Sequence, residues 1–278
     1  MQRKFSSRQD VEMDRIDKIL SHHGFGSRKD VKKLLRDELV TVNGKFVYDP
    51  GFQLDISKDK VVVDGEEIKL QHDVYIMMNK CKDVVCANKD GEHRTVFDLV
   101  YDADESLRRA FLGGELHTVG RLDIDTEGLL LLTTDGALTH RLISPKTHVP
   151  KTYAVGLRDG VEAAARADYV RRFAQGLHIP REGHESEFDA QGALLEWISD
   201  SDRQGPKRAL YGERSDCLLT IYEGKFHQVK RMFAAVGNEV VYLKRISMGA
   251  LTLDPQLPPG SFRELTEQEV LIFSAERG

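Results

Sequence analysis

Hydrophobic and polar positions in the first quarter of the chain follow a helical spacing and then the shorter spacing of strands. Apolar residues recur every three or four positions at 16–20 and again at 31–35, which predicts two short helices. Ser27 precedes the second stripe and is expected to cap that helix. Asn43-Gly44 and then Asp64-Gly65 separate short apolar segments, a pattern typical of β-hairpins. This part is therefore predicted to contain two helices followed by small strands.

From about Val74 onward the pattern predicts many strands and few helices, as in a mixed α+β domain. Asp135 is expected to cap one of the helices, and the polar segment 198–216 is predicted to be a surface loop. We divide the chain into a flexible arm (1–13), a small domain (14–72) and a larger domain (73–278). The larger domain is predicted to contain strands at 75–80, 83–86, 129–132, 151–155, 218–222 and 240–243, and helices at 107–112, 137–143, 161–175 and 227–236.

Composition excludes several classes of protein. The 278 residues are 40% hydrophobic and 31% charged with a mean hydropathy of -0.41, which favours a folded, water-soluble chain over a disordered one. We find no apolar run near the roughly 18 to 20 residues of a membrane span, and no secretory signal at the polar N-terminus. Cys81, Cys86 and Cys217 show neither metal-site spacing nor a disulfide framework, so we expect reduced thiols in a cytoplasmic protein.

Charge is distributed unevenly along the chain. The net charge of -5 by itself argues weakly against a nucleic-acid partner. However, residues 15–46 contain eight basic and four acidic residues, and residues 141–181 contain eight basic and three acidic ones. Acidic residues instead predominate in 182–216, where nine face four basic ones. Five of the cations lie on the second predicted helix, a geometry suited to phosphates.

The most distinctive segment runs from Val119 to Thr133 and places four charged residues in a turn before a buried strand. Such a turn can present a carboxylate in a cleft while the strand holds it rigidly. From the residues alone, Asp123 is open to several roles: nucleophile, general acid or base, metal ligand or turn cap. A calcium loop is disfavoured, because the segment lacks the glycine and distal glutamate of that motif.

Three ordered segments resemble the motifs of the pseudouridine synthases. They are Gly120-Arg121-Leu122-Asp123 with Thr126–Thr133, then Lys151-Thr152-Tyr153, and finally the segment from Glu223 to Phe233. The unit from Arg15 to Gly44 resembles the S4 RNA-binding domain. Together the similarities cover nearly all of the chain from 15 to 269, and details around the motifs are most similar to the branch that acts on small-subunit (16S) ribosomal RNA.

The resemblance implies an α+β fold, with an S4-like domain before a catalytic domain built on a mixed, mostly antiparallel β-sheet flanked by helices. It implies an isomerase that detaches a uracil from ribose and rejoins it through carbon 5, without metal or other cofactor. Asp123 would be the essential aspartate, attacking either base or sugar. Tyr153 would stack on the base and move a proton, Lys230 would pair with Asp123, and Arg121 would be an active-site arginine. The target uridine is expected to be flipped out of its helix.

We expect the partner to be ribosomal RNA of the small subunit, or an assembly intermediate, bound by a monomer. Large-subunit rRNA, a non-catalytic assembly factor and an acid–base hydrolase using Asp123 with Asp125 are the alternatives. The residues expected to contact RNA are Arg15, Lys18, Arg28, Lys29, Lys32, Lys33, Arg36, Lys151, His227, Gln228 and Arg231.

Overall fold

The computed structural model describes residues 13–23, 25–56, 58–68, 73–101 and 116–275. Their contacts divide the chain into two compact units, and the boundary lies between Val74 and Tyr75. Residues up to 74 belong to the first unit, together with Leu116 and His117, and the remaining described residues form the second. The N-terminal arm before Met13 and the helix expected at 107–112 lie outside the described residues.

The first unit packs two helices against short strands around a core that includes Ile16, Leu20, Val31 and Leu35. A four-stranded antiparallel sheet has the order β3-β2-β5-β6, and β1 pairs separately with β4. In chain order the elements are β1 (Met13–Arg15), α1 (Ile16–His22), α2 (Arg28–Arg36), β2 (Val40–Val42), β3 (Lys45–Phe46), β4 (Gln53–Asp55), β5 (Val61–Val63) and β6 (Glu66–Ile68).

Local signals in this unit are confirmed. The Ser27 side chain accepts a hydrogen bond from the backbone N–H of Asp30, and the Asp30 carboxylate accepts one from the Ser27 N–H, which forms a capping box. Asn43 and Gly44, which connect β2 to β3, both have positive φ angles of 51° and 77°. Because two consecutive positive φ values are the requirement of a type I′ hairpin, the Asn-Gly pair explains this turn.

The second unit contains the larger number of strands. Its elements are β7 (Tyr75–Lys80), β8 (Val84–Val85), β9 (Arg94–Thr95), α3 (Val96–Tyr101), β10 (His117–Thr118, which begins at the unit boundary), β11 (Glu127–Thr133), α4 (Gly136–Ile143), β12 (Lys151–Leu157), α5 (Ala163–Gln175), β13 (Leu177–Ile179), β14 (Phe188–Ala190), β15 (Leu194–Trp197), α6 (Asp200–Gln204), α7 (Arg208–Tyr211), β16 (Cys217–Ile221), α8 (Gln228–Ala235), β17 (Val240–Met248), β18 (Leu251–Thr252), β19 (Phe262–Glu264) and α9 (Glu267–Ala275).

The central sheet of this unit has the strand order β15-β16-β12-β17-β11-β7-β19. Along that order, β11 and β17 are parallel and the other neighbours are antiparallel, so the predicted mixed, mostly antiparallel sheet is confirmed. The leucine run Leu129–Leu132 is buried in β11, as its length and flanking residues predicted. Helix α4 is capped by the Asp135 side chain, which accepts from the Leu138 N–H, and Leu138 and Leu142 pack into the same core as β11.

Two of the predicted elements differ markedly in the structure, and several others, among them α3, β13, β14 and α9, were not predicted. The segment 198–216 contains the short helices α6 and α7 instead of being loop throughout, because the Ser199 hydroxyl caps α6 and Tyr211 is buried. Strand β17 continues past Leu243 to Met248, since it receives hydrogen bonds from both β11 and β12. Within the described part of the chain, no helix is both long and apolar enough to cross a membrane.

Candidate active site

The turn that carries Asp123 lies between β10 and β11, and a glycine fixes where it enters the sheet. Gly128 has a φ of 100°, and a Cβ atom at this position would lie 2.2 Å from the carbonyl oxygen of Arg245. Only glycine permits this close approach of β11 to β17. The backbone on the C-terminal side of the turn is therefore held tightly against a central strand.

A buried lysine holds the turn from the inside. The Lys80 side chain at the end of β7 is fully buried, and its ammonium group donates hydrogen bonds to the carbonyl oxygens of Asp123 at 3.0 Å and Thr126 at 2.9 Å. The carbonyl oxygens of Cys81 and Ile124 also lie within hydrogen-bond distance of the Lys80 ammonium group, at 3.1 Å and 3.4 Å. Burial lowers the pKa of Lys80. This ammonium group thus replaces water as the partner of several carbonyls in the turn.

The Asp123 carboxylate lies close to two side chains: Lys230 of α8, and His227, which directly precedes α8 in the sequence. Lys230 donates to Asp123 Oδ2 at 3.0 Å and to Asp125 Oδ1 at 2.6 Å, so one ammonium group bridges two carboxylates. On the other side, His227 Nε2 lies 3.6 Å from Asp123 Oδ1, and the imidazole stacks on the ring of Phe226 at 3.8 Å between centroids. The pairing expected between Lys230 and Asp123 is therefore present in the structure.

Lys230 and Asp125 each stabilise the charged form of the other. Burial alone would lower the pKa of Lys230, but its hydrogen bonds to Asp125 and Asp123 outweigh burial and raise the pKa. Burial likewise works against ionisation of Asp125, yet the Lys230 ammonium lowers the pKa of that carboxyl overall. Because the Lys230 pKa rises above its already basic value, Lys230 is a permanent cation near neutral pH.

These groups open into a cleft of about 260 Å³ in the second unit. Tyr153 projects from β12 into the lining and is 8% exposed, while Asp123 retains 29% exposure of its side chain. Arg121 is exposed and also lines the cleft. Of the four residues expected to be catalytic, Asp123, Tyr153 and Arg121 therefore line one cavity, and Lys230 adjoins it through its hydrogen bond to Asp123. A partly exposed carboxylate, a fixed cation and an aromatic ring are suited to covalent or acid–base chemistry on a planar ring.

Two of the residues expected to contact RNA have buried side chains that form hydrogen bonds within the protein. Gln228 is 3% exposed and donates to the Glu223 carboxylate at 2.7 Å. Arg231 is 5% exposed and donates to the carbonyl oxygens of Pro180 at 2.9 Å and Ser186 at 2.8 Å. Their hydrogen bonds give both residues a structural role, because they anchor α8 to the segments beside it.

Similarity to known proteins shows which family the chain belongs to. A family described as RNA pseudouridylate synthase matches residues 74–235, and the S4 domain matches residues 14–59. The chain belongs to the RNA pseudouridine synthases.

Full-length relatives agree with this assignment. Over 94% of this synthase and 98% of its own length, a Bacillus subtilis protein named uncharacterized RNA pseudouridine synthase YtzG is 43% identical. Ribosomal small subunit pseudouridine synthase A of Vibrio cholerae is 40% identical over 92% of this chain and 97% of its own. The crystal structure of a pseudouridylate synthase, 35% identical, matches with a TM-score of 0.58 over 93% of this chain and 99% of that one.

The cations of the S4 domain fall into two groups. Arg15 pairs with Asp17 at 2.8 Å, and Lys18 lies near Asp14 at 3.2 Å and Asp73 at 3.1 Å. The α2 cations are different, since they are exposed and none forms a salt bridge within the described residues. They are Arg28, Lys29, Lys32, Lys33 and Arg36. Helix α2 therefore presents a group of exposed cations that can meet phosphates.

Sequence reasoning missed three residues that shape the synthase cleft. In the sequence, Lys80 is only the last residue of a predicted strand, and lysines are mostly exposed, so the pattern does not indicate its internal partners. Arg245 and Glu223 are both buried in the cleft lining. Glu223 begins the third motif segment without being singled out within it, and Arg245 carries no signal in the sequence pattern. In the described part of the chain, no group of three or more His, Cys, Asp or Glu side chains is arranged to hold a metal ion.

Proposed function

We propose that this synthase converts a uridine of small-subunit ribosomal RNA to pseudouridine, with Asp123 as its essential carboxylate. The observation that carries the proposal is the arrangement of Asp123 in an open cleft, 3.0 Å from Lys230 and with Tyr153 in the same lining. The substrate class is supported by similarity to ribosomal small subunit pseudouridine synthase A.

In the proposed reaction the bond between ribose C1′ and uracil N1 breaks, the base turns, and a bond forms between C1′ and C5. Asp123 acts as the nucleophile, on base or sugar, and is regenerated when the new bond forms. Tyr153 stacks on the uracil, and its hydroxyl passes the proton lost from C5 to water after the new bond forms, while N1, freed from C1′, takes up a proton from water. Lys230 holds Asp123 in position, and Arg121 at the cleft mouth holds the RNA.

The uridine must leave its stack to reach these groups. Tyr153 is 8% exposed and lies inside the cleft, so a base within an RNA helix is excluded from its ring by the sugar-phosphate backbone. We therefore propose base flipping as the step before chemistry. The opening of a base pair requires a few kcal/mol, which contacts elsewhere on the RNA must supply.

We propose that the α2 cations supply part of that binding energy. Their exposed positions on one short helix allow several phosphates to be neutralised together, and such binding weakens steeply with salt. Changing Lys32, Lys33 and Arg36 together to glutamate is expected to abolish most RNA affinity and reduce its salt dependence. Unchanged binding in a filter or fluorescence assay would show that the S4 domain docks RNA through another surface.

Release of tritium from RNA labelled at carbon 5 of uridine tests the reaction directly. The wild-type protein is expected to release one tritium per modified uridine in small-subunit rRNA, and the Asp123→Asn variant none. Activity that survives Asp123→Asn would remove this carboxylate from the mechanism. Tritium release only from large-subunit rRNA would overturn the substrate, and its absence from every rRNA would favour a non-catalytic assembly factor.

We place this reaction in the cytoplasm, on rRNA or an assembly intermediate, and propose that a monomer carries it out. The candidate catalytic residues all lie in one unit of one chain, so a second copy is not required to complete the cleft. Light scattering during size-exclusion chromatography is expected to give a mass near 31.4 kDa. A stable dimer at micromolar concentration would contradict this proposal.

A further inference from the structure

Two cations of the cleft stand apart from the Asp123 cluster and have no carboxylate partner. Lys151 at the start of β12 and Arg245 in β17 both contribute to the cleft lining. Among the described residues, no aspartate or glutamate forms a salt bridge with either side chain. Lys230 in the Asp123 cluster is different in this respect, because its ammonium group contacts two carboxylates.

The Arg245 guanidinium is only partly satisfied by the protein. The residue is 2% exposed, and its Nε donates to the carbonyl oxygen of Leu129 at 2.8 Å. Its terminal Nη2 group, however, is buried without a hydrogen-bond partner. A buried unpaired donor on a charged group is unfavourable, so its retention in a cleft calls for a ligand that completes it.

The position of Arg245 places it beside the expected base-stacking residue. In the antiparallel ladder between β12 and β17, Arg245 is the register partner of Tyr153. Lys151 precedes Tyr153 by two residues on β12, and all three residues line the cleft. A nucleotide whose base contacts the Tyr153 ring therefore has both cations within the same cavity.

Lys151 is also short of partners. Its ammonium group donates to the carbonyl oxygen of Val149 at 3.1 Å, which leaves further donors for a ligand. Burial, and then the positive charge of Arg245, lower the pKa of Lys151. The two cations therefore repel each other in a partly desolvated space, and an anion between them would reverse that repulsion.

We propose that Lys151 and Arg245 form a subsite for a phosphate group of the RNA backbone next to the target uridine. The inference rests on the proposed function, because it takes RNA as the ligand of the cleft. A phosphodiester is the anion that necessarily accompanies a flipped nucleotide, and a guanidinium and an ammonium group are its usual protein partners. A neutral uracil ring alone would not compensate the positive charges of a buried guanidinium and a partly buried ammonium group.

Nucleotide binding tests the subsite without requiring turnover. Titration calorimetry or NMR would compare uridine with uridine 5′-monophosphate and uridine 3′-monophosphate on the full-length protein. Wild type is expected to bind at least one monophosphate about ten- to a hundredfold more tightly than uridine. Lys151→Met should lose most of that preference, while Lys151→Arg should retain it. The exposed Lys89 provides a matched control, and Lys89→Met should behave as wild type.

Two results would overturn the subsite: equal affinity of the wild type for uridine and both monophosphates, or a full phosphate preference in Lys151→Met. Arg245→Lys adds a second test, since it keeps the charge but shortens the reach to Nη2, and a several-fold loss of preference is expected. Denaturant unfolding accompanies each variant, and the conclusion rests on Lys151→Met if Arg245→Lys fails to fold.

The subsite and the proposed function fail in different ways. If rRNA shows no pseudouridine made by this protein while the phosphate preference depends on Lys151, the subsite stands and the substrate assignment fails. If tritium is released normally but Lys151→Met changes neither nucleotide affinity nor KM, the proposed function stands and the subsite fails. On an rRNA substrate that the wild-type protein modifies, Lys151→Met is expected to raise KM about tenfold and leave kcat within about twofold.

Discussion

Replacement of Lys80 by methionine removes the group that fixes the Asp123 turn from inside. Methionine is close to lysine in length and is apolar, so it fills the same buried space but donates no hydrogen bonds. In the native protein the ammonium group lies within 3.1 Å of the carbonyl oxygens of Cys81, Asp123 and Thr126. All of these acceptors lose a charged donor in the variant.

The expected loss of stability follows from two opposing contributions. Each hydrogen bond from a charged donor stabilises the fold by about 1.5 to 3 kcal/mol, and the abandoned buried carbonyls add a desolvation penalty. Removal of a buried ammonium group recovers several kcal/mol of the desolvation already present in the native protein. The variant loses three short hydrogen bonds and gains back the desolvation free energy of one buried charge. The net destabilisation is therefore about 3 to 5 kcal/mol.

Activity is expected to fall more than binding. The released turn carries Asp123, and a displacement of about 1 Å in a reacting group lowers a rate by roughly a hundredfold. Lys80 itself is fully buried and does not reach the RNA, so KM should change by less than about threefold. Urea unfolding followed by fluorescence, together with tritium-release kinetics, measures both effects in one preparation.

The exposed Lys89 again supplies the control, because Lys89→Met removes the same charge without an internal partner. A Lys80→Met protein with wild-type stability and kcat would refute the assignment of this ammonium group as the internal support of the turn. A destabilised protein with wild-type kcat would keep the structural contribution but refute the link from Lys80 to the position of Asp123.

Three further changes probe the sheet, the site and the C-terminal region. Gly128→Ala places a methyl group 2.2 Å from the Arg245 carbonyl, so we expect a loss of about 3 kcal/mol or more in denaturant unfolding, and a wild-type curve would contradict the close approach. Lys230→Met should lower kcat about a hundredfold or more with a retained fold, and kinetics with normal kcat would dismiss its role. The Arg263 guanidinium holds the pKa of Glu269 at about 2, below its usual 4.5, so the folded state gains stability above pH 4.5 that disappears as pH falls from 4.5 towards 2. Glu269→Gln should therefore lower the melting temperature near pH 7 and flatten its acid dependence, whereas parallel pH profiles for the two proteins would exclude this pair as a source of the stability.

Much of the local structure was predictable because it depends on residues close together in the chain. Ser27 and Asp30 form their capping box across three residues, and Asn43-Gly44 turns a hairpin with its own φ angles. The short helices in 198–216 escaped prediction, because their stability comes from the buried Tyr211 and from an Arg203–Asp216 ion pair instead of an apolar stripe.

The candidate site was predictable to a different extent for each residue. Asp123, Tyr153 and Lys230 belong to ordered motifs. In the structure Asp123 and Tyr153 line one cleft, and Lys230 contacts Asp123. Gln228 and Arg231 belong to the same motif as Lys230, yet their side chains face internal partners. A linear motif records that several residues occur together, but it does not separate those that face the cleft from those that support it.

Local spacing and motif order were enough to predict the two-part organisation, the family and the residues of the candidate chemistry from the sequence. The surroundings of those residues depend instead on how the chain folds. The tertiary structure placed Lys80 under the Asp123 turn across 43 positions of sequence and brought Arg245 beside Leu129 across 116. Such contacts arise from the order and register of strands in the sheet, which local hydrophobic patterns do not specify. The buried cations of the cleft therefore became visible only when the strands were paired.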